Sequence, residues 1–211
     1  MSVPAAPPQR LPRGIRIAAV LCLIFSGLTG MSSVTEASSL AQFSEYKEAV
    51  LANAGRFGDR EANEHVLLAQ FSALEPMRET RTTLLGSLAV VCAFVFVAAA
   101  RLLRPGGMPR EGMRRLLSGA AIITAILRTI DGAQWMVVVD HMSAALVKGP
   151  FPAWQDPTSI ELIQRFGPTV LAAGYIGMTA FVAGAFVLLG QYFRSERVRQ
   201  VVTAQDGPAE E

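Results

Sequence analysis

Three stretches of this sequence run 19 residues or more without a charge, and a fourth is interrupted only by one arginine and one aspartate. Ile17–Thr35 and Thr82–Ala100 each hold 19 residues, Phe166–Phe193 holds 28, and Leu116–Val139 holds 24 including Arg128 and Asp131. A hydrocarbon core of about 30 Å is crossed by roughly 20 residues of helix. In lipid every backbone N–H and C=O must be bonded within the protein, so single runs of this kind fold as helices. The sequence therefore predicts an all-α integral membrane protein built as a bundle of four transmembrane helices. Composition agrees, with 51% hydrophobic and 17% charged residues. A net charge of +2 gives no basic surface for nucleic acid.

Charges between the runs set the orientation. Arg10, Arg13 and Arg16 precede the first, and Arg194, Arg197 and Arg199 follow the last. The connection 101–115 carries Arg101, Arg104, Arg110, Arg114 and Arg115 against Glu111 alone. These regions alternate with 36–81 and 140–165, where acids outnumber bases. Loops rich in arginine and lysine stay in the cytoplasm, so both termini are predicted inside. The organisation read from this is a disordered arm 1–14, spans at 15–36, 82–103, 116–139 and 168–193, an outer segment 37–81, a cytoplasmic loop 104–115, an outer loop 140–167 and a cytoplasmic tail 194–211. Arginine outnumbers lysine 17 to 2, usage that suggests a bacterial protein and hence an inner-membrane location. A rival reading takes the basic start, the first run and the "TEA" ending at Ala37 as a cleaved signal peptide, which would leave three spans. That run is long for a signal sequence, and four spans are preferred.

The outer segment 37–81 alternates by helical period. Leu40, Phe43, Val50, Leu51 and Ala54 share one side of a first helix, and Ala62, Val66, Leu67, Phe71 and Leu74 share one side of a second. Glycines in "NAGRFGD" supply the turn between them, and Asp59 is placed to cap the second helix. The expectation is an extracytoplasmic helical hairpin between spans 1 and 2, with Pro76 kinking the return. In the second outer loop Trp154 suits an interfacial anchor, and Asp156 or Thr158 is placed to cap a short helix over 159–166. Pro168 is placed to start the fourth span. The tail after Thr203 is expected to be disordered.

The polar residues of the third span carry the chemistry. Thr124, Arg128, Asp131 and Trp135 recur at i, i+4, i+7 and i+11 and form one stripe, with Arg128 near the centre of 116–139. A central arginine or aspartate costs about 2.5–3.5 kcal/mol on insertion scales, so the pair costs roughly 5–7 kcal/mol. The span's ten leucine, isoleucine and valine residues return roughly 3–6 kcal/mol. The two sums nearly cancel, so the helix is marginal alone and its stripe should face other helices. Ser26, Cys92 and Thr179 lie near the middle of the other spans and are candidate partners of this polar centre.

Other motifs are weaker. Ala173, Gly177, Ala180 and Gly184 recur at i, i+4, i+7 and i+11, a small-residue strip suited to helix contact in the bundle or between protomers. Gly86, Ala89 and Ala93 repeat the spacing in span 2. Glu61 and His65 share a helix face but fall short of a metal site, and adjacent Asp140 and His141 point in different directions. Cys22 and Cys92 lie singly in apolar runs, where small buried thiols are ordinary. No phosphate-binding loop or nucleophile motif occurs, and no cofactor or metal is expected. The function expected is non-enzymatic: a sensor, assembly factor or accessory subunit in a bacterial inner-membrane complex. Its partners would be the lipid bilayer and a protein or second copy bound through the 37–81 hairpin or span 4. The alternative is a small transporter or proton-coupled channel using Arg128 and Asp131.

Overall fold

The computed structural model describes residues 11–57, 59–104, 110–148 and 156–206. Trp154, Gly58, residues 1–10 of the arm and the last five of the tail lie outside the described residues. Every regular element within them is helical. In chain order these are α1 (Arg13–Ala41), α2 (Phe43–Ala52), α3 (Arg60–Leu74), α4 (Arg78–Leu103), α5 (Arg110–Lys148), α6 (Pro157–Arg194) and α7 (Glu196–Asp206). Four helical stretches are long and apolar enough to cross a membrane: Arg13–Ala41, Arg60–Leu103, Arg110–Lys148 and Ile160–Arg194.

The chain divides into two compact units, each assembled from portions of the same long helices. The first comprises Met1–Ser32, Leu88–Ile126 and Val182–Glu211. Its core sets alanines of α1, α4 and α5 (Ala19, Ala98, Ala99, Ala121) against Phe186 and Phe193 of α6. Small side chains let helix backbones approach closely, and the phenyl rings fill the space that remains. At Gly190 an added Cβ would lie 2.9 Å from Ile122 Cγ1 and 3.2 Å from the Ser118 carbonyl oxygen. Ser118 Oγ donates to the Gly190 carbonyl at 3.0 Å in the same contact. Arg114 Nη1 donates to the Phe193 carbonyl, satisfying an orphan acceptor at the C-terminal end of α6. The tail does not run free after Arg194: α7 buries Val198 and Val202, one turn apart, in this core.

The second unit comprises Ser33–Ser87 and Leu127–Phe181. Its core gathers Leu40, Phe43, Phe71, Leu74, Leu85 and Val138. Phe71 is the hub, meeting Phe43 edge-on at 5.7 Å and Tyr46 at 5.8 Å between ring centroids. Asp59 caps α3, its Oδ1 accepting from the Glu61 and Ala62 amides at 2.9 and 3.4 Å. Arg78 Nη2 donates at 3.0 Å to the Ala41 carbonyl at the end of α1.

Several boundaries differ from the sequence reading. The first helix runs past Thr35: α1 continues to Ala41, and only Gln42 separates it from α2. At Pro76 the chain tightens into a 3-10 turn, Glu75–Met77, between α3 and α4. The short helix expected at 159–166 and the long apolar run after it are one helix, α6, which begins with Pro157 and passes through Pro168. Proline is harmless in a first turn, where its missing N–H has no partner to lose. Around Pro168 the helix is held by α5: Gln164 Nε2 donates to the Val147 carbonyl at 3.2 Å, and a Cβ on Gly167 would lie 3.1 Å from Leu146 Cδ2.

Candidate functional site

Four helices contribute to a charge cluster inside the second unit. On α5, Arg128, Asp131 and Trp135 lie on one face, as their spacing requires. The Arg128 Nη1 donates to Asp131 Oδ2. The other carboxylate oxygen, Oδ1, lies 2.8 Å from Arg81 Nη2 of α4. Arg81 then reaches α1, where its Nε and Nη2 both donate to Glu36 Oε1 at 2.8 and 2.6 Å. Its remaining nitrogen, Nη1, is 3.4 Å from Gln134 Oε1. Below the guanidinium is the Trp135 ring, 4.8 Å from the guanidinium carbon to the ring centroid. Trp135 in turn stacks on Tyr175 of α6, with centroids 5.3 Å apart and an interplanar angle of 28°.

Burial decides what such a cluster can do. The side chains of Arg81 and Asp131 are 0% exposed, against 22% for Arg128 and 29% for Glu36. A lone buried charge is expensive, and it persists where opposite charges and hydrogen bonds surround it. Two guanidiniums and two carboxylates sum to zero. Arginine suits the central position because its planar fork serves several acceptors at once while its face rests on an aromatic ring.

The sequence-predicted residues fall in different places. Arg128, Asp131 and Trp135 belong to the cluster. Thr124 is buried in the first unit, where its hydroxyl donates to the Ala120 carbonyl at 2.9 Å. Ser26 and Cys92 are also buried in the first unit, and Ser26 Oγ donates to the Cys22 carbonyl at 2.5 Å. Thr179 is in the second unit but packs against Gly132: a Cβ there would lie 2.7 Å from Thr179 Oγ1 and 3.0 Å from its Cβ. Among the described residues the strip on α6 is largely unpacked. Ala173, Gly177 and Ala180 are exposed, Gly184 is half-buried, and a Cβ on either glycine would meet nothing within 4 Å. In span 2, Gly86 and Ala93 are likewise exposed and Ala89 is half-buried. His65 and Asp140 are exposed, and the His141 ring Nδ1 lies 2.9 Å from the Val137 carbonyl.

Glu36, Arg81, Gln134, Tyr175 and Gly132 went unnoticed in the sequence. Glu36 and Arg81 stand immediately outside the first two charge-free runs. A signal was present: they are opposite charges at the adjoining ends of two successive charge-free runs. No protein-family model matches this chain, and neither a curated protein nor a solved structure does.

Proposed function

We propose that this chain is a four-span membrane protein of the bacterial inner membrane, with both termini in the cytoplasm. It works without catalysis, as a sensor, assembly factor or accessory subunit of a membrane complex. A helical hairpin over 37–81, or the fourth span, is the part that meets a partner. The observation that carries this reading is the self-neutralised cluster: Arg81 and Asp131, fully enclosed, spend their charge on Glu36 and Arg128. Groups so engaged act as a clasp among α1, α4 and α5.

Counting along each helix supports a position for the clasp. Glu36 lies 20 residues from Arg16, Arg81 20 from Arg101, Asp131 16 from Arg115, and Tyr175 19 from Arg194. These separations correspond to about 24–30 Å of helix, close to the thickness of the hydrocarbon core. The clasp then sits at the outer rim of the membrane, not at its middle, where charges are cheaper to hold and tryptophan and tyrosine are favoured.

Two measurements test the proposal. Cysteines introduced at Ser44 and Ser195 should label from outside and from inside respectively; outside labelling at Ser195 defeats the four-span topology. Mild detergent extraction should bring down a stable partner that is lost on deleting 40–74. The transporter alternative draws on Arg128, whose buried Nε has no hydrogen-bond partner among the described residues. Flux in proteoliposomes that vanishes in Arg128→Leu with Asp131→Leu, while the protein stays folded, would favour it.

A further inference from the structure

A cavity of about 400 Å³ opens beside the start of α1, lined by Arg13, Arg16, Ile17, Val20 and Leu21. These positions follow i, i+3, i+4, i+7 and i+8, so they form one helix face. The face is exposed among the described residues: Ile17 is 61% exposed, Val20 44% and Leu21 39%. Ile24 and Leu28 continue it and are exposed as well. Among the described residues neither Arg13 nor Arg16 meets a carboxylate, whereas Arg114 and Arg115 share Glu111. The hydroxyl of Tyr192 approaches the same turn, 3.1 Å from where a Cβ on Gly14 would sit.

Two fixed positive charges one turn apart therefore stand at the head of an apolar cavity. From Ile17 to Leu28 is about 16 Å of helix, roughly one leaflet of hydrocarbon. An inorganic anion would satisfy the guanidiniums and leave the apolar wall uncovered. A zwitterionic lipid would cover the wall and leave the excess positive charge. We infer that the cavity holds one anionic phospholipid of the cytoplasmic leaflet. Its phosphate lies on Arg13 and Arg16, and an acyl chain runs along Ile17, Val20, Leu21 and Ile24. Clustered basic residues at a cytoplasmic membrane edge recognise such headgroups by charge, and the cavity adds the tail. This inference rests on the membrane orientation proposed above.

The test uses the full chain purified in detergent, with phosphatidylglycerol and phosphatidylcholine of identical chains offered in native mass spectrometry. Wild type should retain the phosphatidylglycerol adduct in preference. The preference should fall at least about tenfold in Arg13→Gln with Arg16→Gln. It should survive in Arg101→Gln with Arg104→Gln, which do not border the cavity. Val20→Trp, which fills the cavity and leaves the charges in place, should abolish the adduct. Millimolar inorganic phosphate should fail to displace the lipid. Equal retention of the two lipids by wild type overturns the inference, as does an unchanged preference in the Arg13/Arg16 variant. Displacement by phosphate reduces the site to an anion patch and overturns it too. Thermal melts of each variant report folding. Outside labelling at Ser195 with an intact phosphatidylglycerol preference would sink the orientation and keep the site.

Discussion

At the scale of single residues, the clasp makes charge counting predictive. Arg81→Leu leaves Glu36 and Asp131 facing Arg128 alone, one negative charge in excess. Breaking a buried pair on one side costs about 3–5 kcal/mol, so this variant should melt well below wild type in detergent. Adding Glu36→Leu restores neutrality and should recover part of the loss. The same logic makes Arg128→Leu more harmful than Arg128→Leu with Asp131→Leu, since the double variant leaves Arg81 paired with Glu36. If the single and double changes melt alike in both series, the charges are not coupled as the geometry requires. Gly132 offers an independent check. Any side chain there meets Thr179 at once, and overpacking of this kind costs about 1–3 kcal/mol. Gly132→Val should destabilise, and Thr179→Ala should relieve part of the strain, as melting of the two single variants and the pair will show.

At the scale of elements, the contact between α5 and α6 in the first unit has a titratable partner outside the apolar spans. Arg114, hydrogen-bonded to Glu111 Nε-to-Oε2 at 2.7 Å, is the main reason the Glu111 carboxyl is held down at about 2; Arg115, at 2.8 Å, adds to it. The folded value lies below the ordinary carboxylate value of 4.5. The stabilisation is therefore fully present above pH 4.5 and is lost as pH falls from there toward 2. Arg114 also holds the Phe193 carbonyl, so acid should loosen the end of α6. Wild type should lose melting temperature over that window, and Glu111→Gln should start lower and change less across it. The tail helix α7 gives a second element-level expectation. Val198→Asp places a charge in the core that α7 covers. It should free the tail to protease, whereas Arg199→Asp, on an exposed position, should not.

At the scale of the whole molecule, each unit has a core of different chemistry, alanine and phenylalanine in one and a phenylalanine hub in the other. Replacing Phe43 and Phe71 together with Asp should unfold the second unit's aromatic core, read as new proteolytic cuts within 37–81; unchanged resistance would show that the core is not what holds that segment. Four helices long and apolar enough to cross a membrane, a helix on each side of the turn before Asp59, the Asp59 cap and the pairing of Arg128 with Asp131 were all legible in the sequence. Each depends on local spacing, on a run's length or on residues within one turn. Tertiary structure alone decided that Arg81, immediately outside a charge-free run, is as fully enclosed as Asp131. It also decided that Glu36 supplies that charge's other partner, 45 residues away in the chain. Pro168 lies inside a helix because α5 holds α6 on both sides of it, and the small-residue strip on α6 faces outward. The physical reason is the same in each case. A helix propensity or a hydropathy run is summed over neighbours, whereas the energy of a buried charge or an interhelical contact depends on which distant groups the fold brings to it.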